Sequence, residues 1–398
     1  MPTVSHFSAS QLAAAPRIVV APDSFKGSLG ALQVAQAVQR GILRAIAHAR
    51  VDLCPMADGG EGTLDAMVAD GGVVQQVQVR DARGERRAAR VAILRDGSAV
   101  IETAEIVGIT DPAAMAIDVG ARSTEGIGDA ILALAQQGVR RFLIALGGSS
   151  TNDGGSGMLR ALGLRLVDAA GADLAPGPAA LAGLYRIDAG GLHPLLAQLT
   201  IIGMSDVEHP LCGSAGATAV FGPQKGVGPE RIELYDRALA HFAAILETAL
   251  PRQASTQAGS GAAGGLGYAL LMIGGAIRSG AEMVCTEIGL DRYLAQADLV
   301  ITGEGRSDSQ TLGGKAPAIV ARHAARFGVP TVLLSGAIDR GALVALNAHF
   351  AACLSIVPGP MTLGEAIADA AALTEDCAAQ VASLWMAGRA VTQGGQGG

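Results

Sequence analysis

Five short loops of the chain gather glycine beside carboxylates, hydroxyls and lysines: Asp23–Ser28, Asp58–Gly62, Gly147–Gly157, Gly222–Gly226 and Gly303–Gly314. Glycine lets a backbone approach a ligand closely and adopt positive φ. A helix that starts after such a loop offers unpaired N–H groups and the positive end of its dipole to an anion. Seven acids, Asp23, Asp58, Glu61, Asp153, Asp206, Glu304 and Asp308, lie beside Gly, Ser or apolar strand ends. Lys26, Lys225 and Lys315 share these loops in a chain whose basic residues are otherwise mostly Arg. Singly, each is an ordinary turn or cap residue. Together they are the parts list of phosphoryl transfer. Mg²⁺ takes hard carboxylate oxygens, an alcohol nucleophile needs a carboxylate as base or orienter, and an ammonium offsets charge developing on the transferred group.

The common nucleotide signatures are absent. A Walker A loop needs Gly, four residues, then Gly-Lys-Ser/Thr; Gly314-Lys315 is followed by Ala316, and Ser309 stands where the first Gly belongs. The string Gly259-Ser-Gly-Ala-Ala-Gly264 follows the polar stretch Gln253–Ala258 and not a strand, so it lacks the dinucleotide-binding context. No GxSxG elbow occurs. The histidine nearest a candidate acid, His209 beside Asp206, reads as a satisfied polar residue.

These loops need strands to end on. Arg17–Pro22 and Val51–Met56 are short apolar runs of the kind that become buried parallel strands. Between them 29–50 carries apolar residues at helical spacing, with Ser28 as its expected N-cap. Thr63–Ala69 is the next expected helix. Strand, turn and helix in alternation begin a doubly wound sheet. Gln75–Arg80, Ala89–Leu94 and Ala99–Ala104, with tight turns between them, instead read as a meander. Alternation resumes at Arg141–Leu146, Asp298–Thr302 and Pro330–Ser335, and helices are expected over Lys315–Phe327 and Leu363–Met386. The expectation is an α/β chain of two domains: a discontinuous sheet domain from 17–75 plus 275–390, and an inserted domain over 76–274. Residues 1–16 are expected as a disordered lead and 391–398 as a disordered tail.

Composition bounds the partners. The 398 residues carry 29 Lys+Arg against 36 Asp+Glu, a net charge of −7, which argues for no nucleic acid partner because a phosphate backbone is held by clustered cations. Half the residues are hydrophobic and 16% charged, enough apolar surface to fold. The longest charge-free apolar segment, around Leu266–Ile277, is too short and too rich in Gly to span a bilayer, so no membrane association is expected. No basic residue precedes Leu12–Ala15, unlike a secretory leader. Five cysteines without a CxxC pair read as free thiols in a cytoplasmic protein, monomer or homodimer.

The blocks Ala21–Ser28, Pro55–Thr63, Leu146–Gly157, Val220–Gly226 and Ile301–Thr311, in this order, resemble the signature blocks of the type I glycerate kinase family. The resemblance covers about residues 17–375. It implies a Rossmann-like domain built from both chain ends, an inserted α/β domain with a mixed sheet, and ATP- and Mg²⁺-dependent phosphorylation of D-glycerate, most often to 2-phosphoglycerate. On chemical grounds Asp308 is then expected as base or orienter, with Asp206 second, and Asp206 and Glu304 as Mg²⁺ carboxylates. Lys26 and Lys225 are expected to neutralise charge. Ser149, Thr151, Asn152 and Asp153 are expected to hold phosphate or substrate, and Arg306, or alternatively Arg122, the glycerate carboxylate. Asp23, Ser24, Gly59, Gly60, Gly303 and Gly305 are expected around the nucleotide. The chain departs from the common family pattern at Glu105–Ile109, Arg122–Asp129 and His209-Pro210. These changes leave 3-phosphoglycerate as product, or another small hydroxy acid as acceptor, as alternatives. A non-catalytic nucleotide or phospho-acid sensor is the alternative of another class.

Overall fold

The computed structural model describes residues 15–69 and 71–394. Most of the expected lead and the last residues of the expected tail lie outside them; the final helix, Ala370–Gly394, runs into the span expected as tail. In chain order the strands are β1 (Arg17–Val20), β2 (Arg50–Leu53), β3 (Val73–Arg80), β4 (Arg86–Ile93), β5 (Ala99–Glu102), β6 (Arg141–Ala145) and β7 (Arg165–Val167). β8 (Arg186–Asp188), β9 (Thr200–Met204), β10 (Ala276–Arg278), β11 (Leu299–Ser307), β12 (Thr331–Ile338) and β13 (Ala352–Ser355) follow.

The chain divides into two compact units, Met1–Met56 with Gly289–Gly398, and Ala57–Ile288. The first contains a five-stranded sheet in the order β13-β12-β11-β1-β2, parallel throughout. Alternation along each strand supplies both faces with apolar side chains. Ile18, Val20, Leu299 and Ile301 pack with Val34, Val38 and Ile42 of the helix Ala31–Ala45 and with Ala378 and Ala382 of the last helix. Leu333 packs with Ala321, Leu346 and Phe350 in a separate cluster. Connections leave β1 toward β2 and leave β11 toward β12, so the order reverses between β1 and β11. That reversal is where ligands bind in sheets of this kind, beyond the strands' carboxyl ends.

The second unit contains a six-stranded mixed sheet, β10-β9-β6-β5-β4-β3, and the small antiparallel ribbon β7-β8. β3, β4 and β5 form the meander read from the sequence, pairing antiparallel, whereas β5, β6, β9 and β10 run parallel. Phe142 and Ile144 of β6 are buried with Ile127, Ile131 and Leu134 of the helix Glu125–Gln136 and with Leu239, Phe242 and Leu246 of the helix Pro229–Ala249.

Three local expectations meet a different structure. The first long helix is N-capped at Gly30 and not at Ser28, with Gln33 Oε1 accepting from the Gly30 N–H at 2.9 Å. The run expected to be strand through Ala104 stops at Glu102, and the short helix Thr103–Val107 follows. The unit boundaries fall after Met56 and before Gly289, where the sequence suggested 75 and 275. Backbone packing accounts for this. β10 is paired to β9, and the Asp58–Gly62 loop lies against β9 so closely that a Cβ on Gly59 would meet the Met204 carbonyl oxygen at 2.7 Å.

Candidate active site

The sequence-derived site residues fall into two groups, one in each unit. In the first unit, Ala21 and Asp23 continue the pairing of β1 by donating to Ile301 and Gly303 carbonyls, both at 2.8 Å. The chain then passes over the exposed end of β11. A Cβ on Gly305 would meet the Lys26 nitrogen at 3.3 Å, and one on Gly303 the Leu334 carbonyl oxygen at 2.1 Å. The two glycines thus let three stretches of backbone lie together. Asp23 is buried and its Oδ1 accepts from Ser24 N–H, while Lys26 and Arg306 are exposed.

Glu304 is the hub of this group. Its Oε1 accepts from Ser307 Oγ at 2.9 Å and Thr311 Oγ1 at 2.6 Å, and its Oε2 lies 3.3 Å from Lys315 Nζ. Asp308 caps the short 3-10 turn Ser309–Gly313, accepting from Gln310 N–H at 2.9 Å, and its Oδ1 lies 3.7 Å from Lys315 Nζ. Thr311 returns a bond to the Asp308 N–H at 3.0 Å. Both carboxylates are therefore tied to one lysine, and the loop that bears Asp308 is braced on the buried Glu304.

In the second unit, β5, β6, β9 and β10 are parallel, so Glu102, Gly147, Asp206 and Ser279 follow their carboxyl ends. The Asp58–Gly62 loop docks on the same edge. Gly59 O accepts from Gly147 N–H at 2.9 Å. A Cβ on Gly147 would meet Gly60 Cα at 2.5 Å, and one on Gly280 the Asp58 carbonyl oxygen at 2.1 Å. Asp206 accepts from the Ser279 hydroxyl and from Gly280 and Ala281 N–H at the start of the helix Gly280–Glu287. Its Oδ2 is buried with no hydrogen-bond partner. Burial first, and the charge of Asp58 after it, push the Asp206 carboxyl up to about 6 against those hydrogen bonds.

The Gly147–Gly157 loop is built inward. Lys225 Nζ donates to Ser149 Oγ at 2.8 Å and to Thr151 O at 2.7 Å, and burial lowers this lysine to about 7. Asn152 Nδ2 donates to Thr218 Oγ1 at 2.9 Å, while Asn152 Oδ1 and Thr151 Oγ1 are buried without partners. Asp153 is fully committed to the fold: Thr124 N and Oγ1, Gly155 N and Gly157 N all donate to it. Arg122 is buried as well. Its Nη1 donates to Ser150 O at 3.1 Å and Lys225 O at 2.8 Å, and its Nη2 to Ile117 O at 2.9 Å. A guanidinium spent on main-chain carbonyls is a strut under the loop, not a carboxylate clamp.

The Gly259–Gly264 string also finds its place. Gly154 N–H donates to Gly264 O at 2.9 Å, and a Cβ on Gly264 would meet Thr151 O at 2.1 Å. Its left-handed φ of 65° is a glycine conformation, so this segment is a bed for the other loop.

Sequence reasoning did not single out Glu102, Ser279, Thr311 or Thr218. Glu102 alone carried a signal, one carboxylate ending the apolar run Ala99-Val-Ile. The others are ordinary hydroxyl residues whose roles exist only through tertiary contacts. Among the described residues, no set of three or more His, Cys, Asp or Glu is placed to hold a metal ion. None of the described helices is long and apolar enough to cross a membrane. None of the five cysteines is in a disulfide.

The sequence profile of the Glycerate kinase family matches residues 18–386. The Glycerate kinase of Bacillus subtilis (strain 168) is 40% identical over 371 residues, covering 92% of this chain and 97% of that one. The Glycerate 2-kinase of Escherichia coli (strain K12) is 39% identical over 353 residues, covering 88% and 93%. A crystal structure from Salmonella typhimurium LT2, described as a candidate glycerate kinase 2, superposes with a TM-score of 0.82 at 41% identity, covering 94% of this chain and 99% of that one. A match along most of the chain, with relatives of similar length and a solved structure of the same fold, makes this chain an enzyme of the glycerate kinase family.

Proposed function

We propose that the protein transfers the γ-phosphoryl group of ATP to D-glycerate, giving 2-phosphoglycerate and ADP. In this reaction the bond from γ-phosphorus to the β–γ bridging oxygen breaks and a bond to the glycerate hydroxyl oxygen forms. The hydroxyl proton passes to a base, and ADP leaves with the bridging oxygen. The observation that carries the reading is Asp206: a buried carboxylate oxygen without a partner, beside a second acid, at a strand edge lined by bare glycine backbone.

Those features fit a hard divalent cation. An unpaired buried carboxylate oxygen next to another negative charge is costly unless a cation meets it. Mg²⁺ needs only one or two protein carboxylates, taking water and phosphate oxygens for the rest. Asp206 and Asp58 would hold it, and when bound it would neutralise phosphate charge. Glu304 fits this role less well, because Ser307, Thr311 and Lys315 already occupy its oxygens; its proposed part is to brace the Asp308 loop. Asp308 takes the hydroxyl proton. Lys26 and Lys315 offset phosphate charge, with Asp23, Ser24, Gly303 and Gly305 around the nucleotide at the β1/β11 reversal and Arg306 on the glycerate carboxylate. Gly59 and Gly60 present backbone to phosphate. Lys225 and Arg122 hold Ser149, Thr151 and Asn152 in the shape that receives substrate.

Coupled measurement of ADP release with Mg²⁺-ATP and D-glycerate tests this reading. Glycerate-dependent ADP release is the expected result. Thermal stabilisation by ATP and glycerate without ADP release would replace it by the sensor reading.

A further inference from the structure

Glu102 ends β5 almost wholly buried, at 3% exposure. Its Oε1 accepts from Gly62 N–H at 3.0 Å and its Oε2 from Leu64 N–H at 3.1 Å. Gly62 is left-handed, with φ of 88°, and N-caps the helix Thr63–Val68, which has no side-chain cap of its own. The carboxylate therefore supplies from a distant strand what a local Ser or Asp usually supplies. The other end of the Asp58–Gly62 loop is fixed by the Gly59 O to Gly147 N–H bond and by the backbone contact of Gly280 with Asp58. With both ends pinned, Asp58 has one place to be.

We propose that Glu102 is a positioning residue for phosphoryl transfer: by holding the Gly62 and Leu64 N–H groups it sets the Asp58–Gly62 loop and, through it, Asp58 beside Asp206. The proposal rests on the reading above that Asp58 and Asp206 form the acidic centre of the site. The two N–H donors reach different oxygens of Glu102, and the ionised carboxylate presents both as full acceptors; protonation turns one of them into a hydroxyl donor and weakens the bond it receives. Burial above all pushes Glu102 up to about 7, with the charges of Glu105 and Asp65 acting in the same direction. Arg90 on β4 binds both of those acids and tempers them. The bonded form is the ionised one, so the loop is held above about pH 7 and loosens below it.

The test is hydrogen exchange by mass spectrometry on the full-length protein, reading the peptide over residues 58–66, in wild type, Glu102→Gln and Glu102→Asp. Glycerate phosphorylation is measured on the same samples. In Glu102→Gln, which keeps one acceptor and adds a donor, exchange of that peptide is expected to rise about tenfold, with other peptides unchanged. Turnover is expected to fall about tenfold and the acidic limb of the wild-type kcat profile to flatten; Glu102→Asp recovers part of both. Unchanged exchange and an unchanged pH profile in Glu102→Gln would overturn the proposal. Should the variants fail to fold, wild type decides alone: exchange of this peptide, corrected for intrinsic rate, must rise as pH falls through about 7, and a flat profile overturns the proposal. A wild type that loosens this loop at low pH yet phosphorylates no glycerate would count against the proposed function and not against the hold Glu102 has on the loop.

Discussion

Asp206→Asn is expected to lower kcat/KM for glycerate phosphorylation by about 10²–10³-fold without weakening the fold. The substitution keeps the size and one acceptor oxygen, puts an amide donor in place of the other, and removes the charge that answers a cation. The Mg²⁺ concentration needed for half-maximal rate should rise with it. Stability should move the other way. The folded carboxyl sits near 6, above its unfolded value, so the native state binds the extra proton between about pH 4 and pH 6. Native stability therefore falls as pH rises through that window, and the cost is complete above it. Asn carries no such cost, so the variant should melt no lower than wild type at pH 7, and the difference should vanish below about pH 4. Steady-state kinetics at several Mg²⁺ concentrations and melting curves at several pH values check both halves. A variant with normal kinetics would remove Asp206 from the reaction.

Asp308→Asn is expected to reduce kcat by about 10²–10⁴-fold, the usual worth of a positioned general base. The fold should tolerate it. Asn caps as well as Asp, so the Gln310 N–H keeps its acceptor, and Lys315 remains tied to Glu304. The KM for ATP should hardly change, because the side chain is assigned to the hydroxyl proton and not to nucleotide binding. Near-normal turnover in a folded variant would move the base to Asp206, whose raised affinity for protons suits the task.

The sheet strands and the glycine loops were legible because both are local signals. Ile18, Val19 and Val20 are consecutive and buried on both faces, as expected of a parallel strand under two layers of helices. The meander was legible from its short runs and the tight turns between them. What was not legible depends on partners far along the chain. Nothing near residue 60 shows that the Asp58–Gly62 loop belongs with β9 and Gly147; that follows from contacts only a Cα without a Cβ permits. Asp153 and Arg122 read as ligand groups because their types suit an anion site, yet neighbours absorb every bond they make. The Gly259–Gly264 string failed as a nucleotide motif, and its actual task, supporting Thr151 and Gly154, has no sequence signature.

Phosphorus NMR of the product formed from Mg²⁺-ATP and D-glycerate reads the proposed reaction itself. One new phosphomonoester signal, coupled to the single proton on C2, is expected to grow as ADP appears. A phosphorus coupled to the two protons on C3 would keep the kinase and contradict the assigned hydroxyl. No phosphorylated glycerate at all, from protein that remains folded, would overturn the proposed glycerate phosphorylation.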